Sequence, residues 1–152
     1  GVLYPLQTFS PGKALNFRQV PFFVEADTPI ALKKVRLIAE SLSDSVREID
    51  SAKRLTFHAA AVFACNFSNH MLQLAEQLVQ QEGLEFDLLK PLVQETFTKA
   101  LQISPGKSLT GPAIRRDQST MQGHLKLIQE KDPDLAKIYK LLSQSIIDRN
   151  MP

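Results

Sequence analysis

One stretch without Asp, Glu, Lys or Arg decides the fold: Leu55-Thr-Phe-His-Ala-Ala-Ala-Val-Phe-Ala-Cys-Asn-Phe-Ser-Asn-His-Met-Leu-Gln-Leu-Ala75. At the 100° per residue of an α-helix, four of its polar side chains fall within about a quarter turn of one another. They are His58, Asn66, Asn69 and Gln73. The rest of the circumference is mainly apolar, which predicts a long helix inside the protein. Because unpaired buried amides are costly, the stripe needs partners, which could be other helices, ordered water or a bound ligand.

Composition narrows the class of protein. The chain has 152 residues, of which 43% are hydrophobic, so it can bury a real core. Its net charge of +2 is spread along the sequence, with no Lys/Arg run longer than a pair. This pattern gives no indication of binding to nucleic acid or to an anionic membrane. The single Cys65 excludes a disulfide framework and favours a reducing, cytoplasmic location.

The long uncharged stretch also raises the question of a membrane-spanning helix. Six polar or imidazole side chains within it argue against insertion: His58, Asn66, Ser68, Asn69, His70 and Gln73. His58 and His70 do not share a helix face and lack carboxylate or thiol companions. The sequence therefore predicts neither a membrane span nor a metal site.

Short strands and one helix are predicted for residues 1–50. Val2-Leu-Tyr4, Val20-Pro-Phe-Phe-Val-Glu25 and Ser45-Val-Arg-Glu-Ile49 are rich in β-forming residues. Thr28-Pro29 is a typical helix start, and apolar residues follow it at helical spacing. A strand–helix–strand order is typical of a parallel sheet. We expect these residues to be the C-terminal remnant of a Rossmann-like α/β domain whose beginning is absent.

The pattern is helical from Ser51 onward. The long central helix is predicted to end near Glu82-Gly83, and a second helix is predicted over 87–103. A third helix is predicted to start near Asp117, and a fourth to run from Asp132-Pro133 to about Asp148. Ser104 to Arg116 is predicted to be a loop. The predicted fold class is mostly α: the last strands and helix of a Rossmann-like domain in residues 1–50, followed by an all-α bundle domain in residues 51–152.

Two phosphate-binding motifs are incomplete. Gly106-Lys107-Ser108 matches the end of a P-loop, but Leu101 stands where the first glycine belongs and no strand precedes it. No G-x-G-x-x-G occurs, so these 152 residues lack the pyrophosphate-binding turn of a dinucleotide fold.

The loop Leu109-Thr-Gly-Pro-Ala-Ile-Arg-Arg-Asp117 has two interpretations. In the first, Asp117 is a helix N-cap and the arginines are solvated. In the second, Arg115 or Arg116 binds a carboxylate or phosphate at this corner, and His124, two helical turns further on, faces the same side. A helix histidine such as His58 is usually structural, although imidazole is also the usual side chain for proton transfer near neutral pH.

Three segments together resemble a known family. They are Tyr4-Pro-Leu-Gln-Thr-Phe-Ser10, His58-Ala-Ala-Ala-Val-Phe-Ala-Cys-Asn-Phe67, and Leu109-Thr-Gly-Pro-Ala-Ile-Arg-Arg-Asp117 with His124-Leu125. The chain resembles the C-terminal portion of NADP-dependent oxidoreductases that join a Rossmann-like domain to an all-helical domain of unknown function. That family is distantly related to pyrroline-5-carboxylate reductase and the 6-phosphogluconate dehydrogenase superfamily.

The resemblance implies an NADP or NAD site, a small-molecule substrate between two domains, and a homodimer formed by the helical domain. Residues implied to border the cofactor are Tyr4, Pro5, Gln7 and Thr8. Residues implied or proposed to bind substrate are Asn66, Asn69, Thr110, Arg115 and Asp117. Proton transfer is assigned to His58 or His124.

We therefore predict the C-terminal part of an NAD(P)-dependent oxidoreductase, which by itself is inactive and binds cofactor weakly. Two alternatives remain at this stage. In one, the polar stripe joins helices at a homodimer interface and the segment is a non-catalytic interaction module. In the other, the protein senses nucleotide without performing a reaction.

Overall fold

A computed structural model of the chain describes residues 1–150. A small three-stranded sheet and one helix come first: β1 (Val2–Pro5), β2 (Phe22–Glu25), α1 (Pro29–Leu42) and β3 (Val46–Glu48). Helical segments follow: α2 (Ser51–Ala61), a π-helical segment (Val62–Phe67), α3 (Ser68–Gln80), α4 (Lys90–Gln102), the single turn α5 (Pro105–Ser108), α6 (Gln118–Lys131) and α7 (Pro133–Arg149). Short 3₁₀ turns lie at Phe17–Gln19 and Phe86–Leu89. The prediction of a mostly α protein with a few strands near its start is confirmed.

Local capping signals set several helix ends. Thr28 Oγ1 accepts a hydrogen bond from the Ala31 N–H at 3.2 Å, and Pro29 opens α1. Asp132 accepts the Asp134 and Leu135 N–H groups at 2.9 Å each, and Pro133 opens α7. Gly83 follows α3 with a φ of +71°, a conformation that favours glycine. These predicted boundaries are confirmed.

The sheet has the order β1-β2-β3, with β2 in the centre. β2 and β3 are parallel and are joined through α1, as the strand–helix–strand pattern predicts. β1 is antiparallel to β2, with Tyr4 opposite Phe23; no direction was predicted for this strand. The reason for the antiparallel direction is the connection. Only a 3₁₀ turn separates β1 from β2, whereas parallel neighbours need a crossover, usually a helix.

The core of this region is built around β2. Phe22 and Val24 point to one face and pack with Val20 and with Ala39 of α1. Phe23 points to the other face, where its ring lies 4.8 Å from that of Phe57 in α2. A central strand buried on both faces is typical of sheets covered by helices. This two-sided burial places α2 beside the end of β1.

The long helical stretch differs from its prediction in two respects. α2, the π-helical segment and α3 follow one another directly, but none of their residues is buried within this chain. Phe63, for example, is 70% exposed. The expectation of a buried helix is therefore wrong for the residues described here, because they include no layer that covers this surface. The π-helical segment was not predicted at all.

The chain forms two compact units. The N-terminal unit is Gly1–Met71, and the C-terminal unit begins at Leu72. In the C-terminal unit, α6 and α7 pack through the buried Ile128 and Ala136, and Lys131 forms an ion pair with Glu82. The boundary falls within α3, whereas the predicted domains 1–50 and 51–152 divide before α2. That domain division stays a prediction.

Candidate functional site

A pocket of about 440 Å³ lies in the N-terminal unit. β1 and the loop after it form one wall, and α2 with the π-helical segment forms the other. Its polar side chains are Tyr4, Gln7, Thr8, His58, Cys65 and Asn66. Its apolar side chains are Leu6, Phe57, Ala60, Ala61, Val62 and Ala64. The volume suits a small ligand, and the composition is typical of ligand sites, with a mainly apolar wall and a few polar groups.

Tyr4 and His58 are joined across this pocket. The Tyr4 hydroxyl lies 3.0 Å from His58 Nδ1, and the two rings meet edge to face. Tyr4 is held by its place in β1, where its ring stacks on Phe23 at 6.3 Å between centroids. Because Nδ1 is engaged by Tyr4, Nε2 is the ring nitrogen left for other partners.

The π-helical segment supplies the other polar groups of the wall, Cys65 and Asn66. Its hydrogen bonds span five residues where those of an α-helix span four, and Ser68 Oγ donates to the Phe63 carbonyl at 3.2 Å. The extra residue in the turn rotates everything after it by about 100° relative to an unbroken α-helix. The predicted stripe is therefore divided: His58 and Asn66 line the pocket, whereas Asn69 does not.

Among the predicted site residues, the pocket brings together Tyr4, Gln7, Thr8, His58 and Asn66. Pro5 is paired with Phe22 in the sheet and does not line the pocket. The Gln7 side-chain oxygen accepts the Thr8 N–H at 2.8 Å, which fixes the loop after β1. The structure thus places residues with both predicted roles, cofactor contact and substrate contact, around one space.

A polar cluster that was not predicted attaches α2 to the sheet. Glu25 at the end of β2 accepts the Ser51 N–H and Oγ–H at 2.9 Å, and Arg54 forms an ion pair with the same carboxylate. The Arg54 hydrogen bond, helped by Ser51, holds the pKa of Glu25 below its ordinary value of 4.5. Since Phe57 and His58 follow one turn later, this cluster sets where α2 meets the pocket.

We expect Glu25→Gln to reduce the loss of stability in acid. A carboxylate whose pKa is lowered by folding stabilises the protein above its ordinary pKa, and that stabilisation disappears as the pH falls through the folded-state value. Urea unfolding at pH 7 and at several values below 4.5 measures the effect. The free energy of unfolding of wild type should fall steeply in this range. That of Glu25→Gln should be lower than wild type at pH 7 and should fall less as the pH decreases.

The matched control is Glu40→Gln, which removes an exposed carboxylate paired with Arg36 within α1. Exposed ion pairs of this kind contribute little to the free energy of unfolding. If Glu40→Gln flattened the acid profile as much as Glu25→Gln, the cluster at Glu25 would not be the cause.

In the C-terminal unit, the loop at 109–117 fits the first of its two interpretations. Asp117 accepts the Thr120 N–H at 3.0 Å and its hydroxyl at 2.7 Å, so it caps α6. The Thr120 N–H bond is the main cause that lowers the pKa of Asp117, with smaller contributions from Arg115 and His124. Thr110 and Arg115 are exposed. The carboxylate is therefore occupied by the helix end.

His124 has a tyrosine partner of its own. Its Nδ1 lies 3.0 Å from the Tyr139 hydroxyl, between α6 and α7, and the rings meet edge to face. Both tyrosines of the chain are thus paired with a histidine Nδ1 in the same geometry. The spacing of 15 residues between His124 and Tyr139 crosses a helix junction, so helical periodicity could not reveal this pair.

Other motifs have ordinary structural roles. Gly106-Lys107-Ser108 belongs to the turn α5, where Ser108 Oγ donates to the Pro105 carbonyl. Within residues 1–150, no cluster of three or more His, Cys, Asp or Glu side chains is placed to hold a metal ion. Over the same range, every helix is too short or too polar to cross a bilayer.

Residues 20–146 match the sequence profile of DUF2520, a domain of unknown function. The chain belongs to this family. The chain is also similar to solved structures. A protein from Bacteroides fragilis named putative NADP oxidoreductase BF3122 superposes with a TM-score of 0.90 at 42% identity. Protein TM1727 from Thermotoga maritima superposes with a TM-score of 0.74 at 28% identity. No curated protein matches.

Both proteins are longer than this chain. The alignments cover 97% and 96% of the chain but only 57% and 61% of the Bacteroides and Thermotoga proteins. The chain therefore spans about three-fifths of each solved structure. Its fold is that of an NADP oxidoreductase-like protein.

Proposed function

We propose that this DUF2520 chain is the C-terminal part of an NAD(P)-dependent oxidoreductase and that its pocket holds the reacting ends of cofactor and substrate. The observation that carries the proposal is the convergence of Tyr4, Gln7 and Thr8 with His58 and Asn66 around one space. The Bacteroides relative, which is named a putative NADP oxidoreductase, supports the same proposal. The β2–α1–β3 unit supports assigning residues 1–50 to the end of a Rossmann-like domain.

The residues present fit a nicotinamide ring. Ala60, Ala61 and Ala64 carry no atoms beyond Cβ, so the wall that they form can accept a planar group. Gln7 and Thr8 offer amide and hydroxyl groups to a carboxamide. A nicotinamide cofactor supplies hydride transfer when bound, while the protein supplies orientation and electrostatics. The glycine-rich turn for its pyrophosphate is expected in the part of the protein that precedes these residues.

Within this site, Asn66 is proposed to hydrogen-bond the substrate and His58 to handle a proton. His58 is preferred over His124 because it lines the pocket, whereas His124 Nδ1 lies against Tyr139 in the α6–α7 pair. Asn69, Thr110, Arg115 and Asp117 are left out of the proposed catalytic group. Asn69 does not line this pocket, Asp117 is engaged in capping α6, and Thr110 and Arg115 belong to the C-terminal unit.

Calorimetric titration of NADPH and NADH tests the proposal directly. We expect the complete gene product to bind one of them, and this 152-residue chain to bind at least about a hundredfold more weakly, because it lacks a pyrophosphate-binding turn. If the complete product bound neither cofactor, the oxidoreductase proposal would be wrong.

A pocket-filling variant tests the location of the site. Ala64→Phe places a ring where the proposed nicotinamide site lies, and Ala59→Phe places the same ring on an exposed position of α2 that does not line the pocket. In the complete product, Ala64→Phe should weaken binding by about tenfold or more, which corresponds to about 1.4 kcal/mol. Ala59→Phe should bind like wild type. Equal affinities in the two variants would place the cofactor elsewhere.

A second proposal concerns assembly: the helical region forms a homodimer. The observation that favours it is the exposure of large apolar side chains along α4, including Phe97 at 42% and Leu101 at 87%. These two residues are four apart and lie on the same side of the helix. Exposed apolar patches usually mark interaction surfaces. This proposal is compatible with an enzyme and also with a non-catalytic interaction module.

A further inference from the structure

We propose that Tyr4 and His58 work as one proton-donating pair and that the substrate presents an uncharged carbonyl group to it. This inference rests on the proposed function and deepens it, because it assigns the substrate class and gives Tyr4 a role other than contact with the cofactor. It is carried by the 3.0 Å contact between Tyr4 Oη and His58 Nδ1 at the pocket wall.

The geometry determines which atom can act. Tyr4 is anchored in β1 and stacked on Phe23, so its hydroxyl is the fixed member of the pair. His58 is exposed on α2, and only its Nε2 is free of the tyrosine. In the neutral ring that carries its proton on Nε2, Nδ1 accepts a hydrogen bond from the Tyr4 hydroxyl while Nε2–H is available to a ligand. Tyr4 thus holds the imidazole ring in one orientation and leaves the Nε2 proton available to a ligand.

The proton balance is simple. In carbonyl reduction, the carbon gains a hydride, for which a reduced nicotinamide cofactor is the donor, and the C=O double bond becomes a single bond. The oxygen gains the Nε2 proton of His58. The Tyr4 hydroxyl proton passes to Nδ1 at the same time, so the imidazole stays neutral, and the Tyr4 oxygen then regains a proton from solvent. The reverse sequence oxidises an alcohol.

The lining of the pocket argues for an uncharged substrate group. The described side chains that surround it carry hydroxyl, amide, thiol and imidazole groups, and none is a carboxylate, an ammonium or a guanidinium. An ion placed there would lose hydration without gaining an opposite charge, which is costly. A carbonyl oxygen needs only hydrogen-bond donors, and His58 Nε2 and the Asn66 amide can provide them.

The first test uses two probes of nearly equal size, acetophenone and benzoate, titrated into the 152-residue chain and followed by NMR. Acetophenone should shift the His58 ring and Asn66 amide signals with at least about tenfold higher affinity than benzoate, since a tenfold ratio corresponds to about 1.4 kcal/mol. The carbonyl ¹³C signal of labelled acetophenone should move downfield on binding, because a hydrogen bond polarises the C=O bond. Equal or tighter binding of benzoate would overturn the assignment of substrate class.

The second test asks whether Tyr4 and His58 act together on the bound carbonyl group. Tyr4→Phe keeps the ring that stacks on Phe23 but removes the hydroxyl. It should change the ¹⁵N signals of both His58 ring nitrogens and remove most of the carbonyl ¹³C shift. His58→Ala, which leaves the Asn66 amide as the remaining proposed donor, should remove most of that shift as well. A purely structural role for Tyr4 would leave the ¹³C shift of bound acetophenone intact, and this result would overturn the proposed pair.

The chain contains a matched control. Tyr139→Phe breaks the equivalent contact to His124, which has the same 3.0 Å distance but lies in the C-terminal unit. It should change the His124 ring signals and leave those of His58 and of bound acetophenone unchanged. These measurements need no NADPH. A failure of the pair is therefore distinguishable from a failure of cofactor binding in the complete product.

Discussion

Phe22→Ala is expected to lower the free energy of unfolding by about 3–5 kcal/mol. Phe22 lies in the central strand and is 1% exposed, packed with Val24 and with Ala39 of α1. Its removal leaves a cavity in a sheet only three strands wide, where the flanking elements have little freedom to collapse into the space. Urea unfolding monitored by circular dichroism measures the change.

The matched control is Phe9→Ala, because Phe9 is 56% exposed in the loop after β1 and has one tilted ring contact, with Phe17. We expect a loss of about 1 kcal/mol or less. If both variants lost the same stability, the sheet core would not be the centre of the N-terminal unit. A Phe22→Leu variant, which retains most of the apolar volume, should recover much of the loss.

The second large effect is expected on assembly. The double substitution Phe97→Glu/Leu101→Glu should raise the dissociation constant of the proposed homodimer by about a hundredfold or more. Each substitution removes an apolar side chain from the proposed interface and buries a carboxylate there, close to the same carboxylate of the second copy. The fold itself should change little, since both side chains are exposed in the isolated chain. Sedimentation velocity over a range of concentrations measures the dissociation constant.

Thr98→Glu/Gln102→Glu is the control for charge. These residues are also exposed and four apart on α4, but they lie on its polar side. This variant should assemble like wild type. If wild type sedimented as a monomer, the homodimer proposal would be wrong. If all three proteins remained dimeric, the interface would lie away from Phe97 and Leu101.

Much of the secondary structure could be read from local signals. Thr28, Asp117 and Asp132 were predicted to start helices, and each side chain accepts backbone N–H groups at the start of its helix. The reason is that capping involves residues two to three apart, so the information is contained in a few consecutive positions. The direction of β1 was not predicted, although its connection to β2, which holds only a 3₁₀ turn, favours an antiparallel pair.

The candidate site was predicted only in part. Tyr4, Gln7 and Thr8 came from the resemblance, and His58 and Asn66 from helical periodicity as well. Periodicity failed after the π-helical segment, since it assumes a constant 100° per residue. It therefore placed Asn69 on the same helix face as His58, and the structure does not bring Asn69 to the pocket. No charge pattern pointed to the cluster of Glu25, Ser51 and Arg54.

Local patterns in the sequence were enough to predict most of the helix starts, the β2–α1–β3 unit and the resemblance to NADP oxidoreductases. All of these depend on short-range periodicity or on runs of matching residues. Which polar groups meet depends instead on tertiary packing. Tyr4 and His58 are 54 positions apart, and their contact requires the register of β1 on β2, the packing of Phe57 on Phe23 and the attachment of α2 through Glu25. Each is a long-range interaction whose geometry depends on the others, so no local pattern could encode the pair.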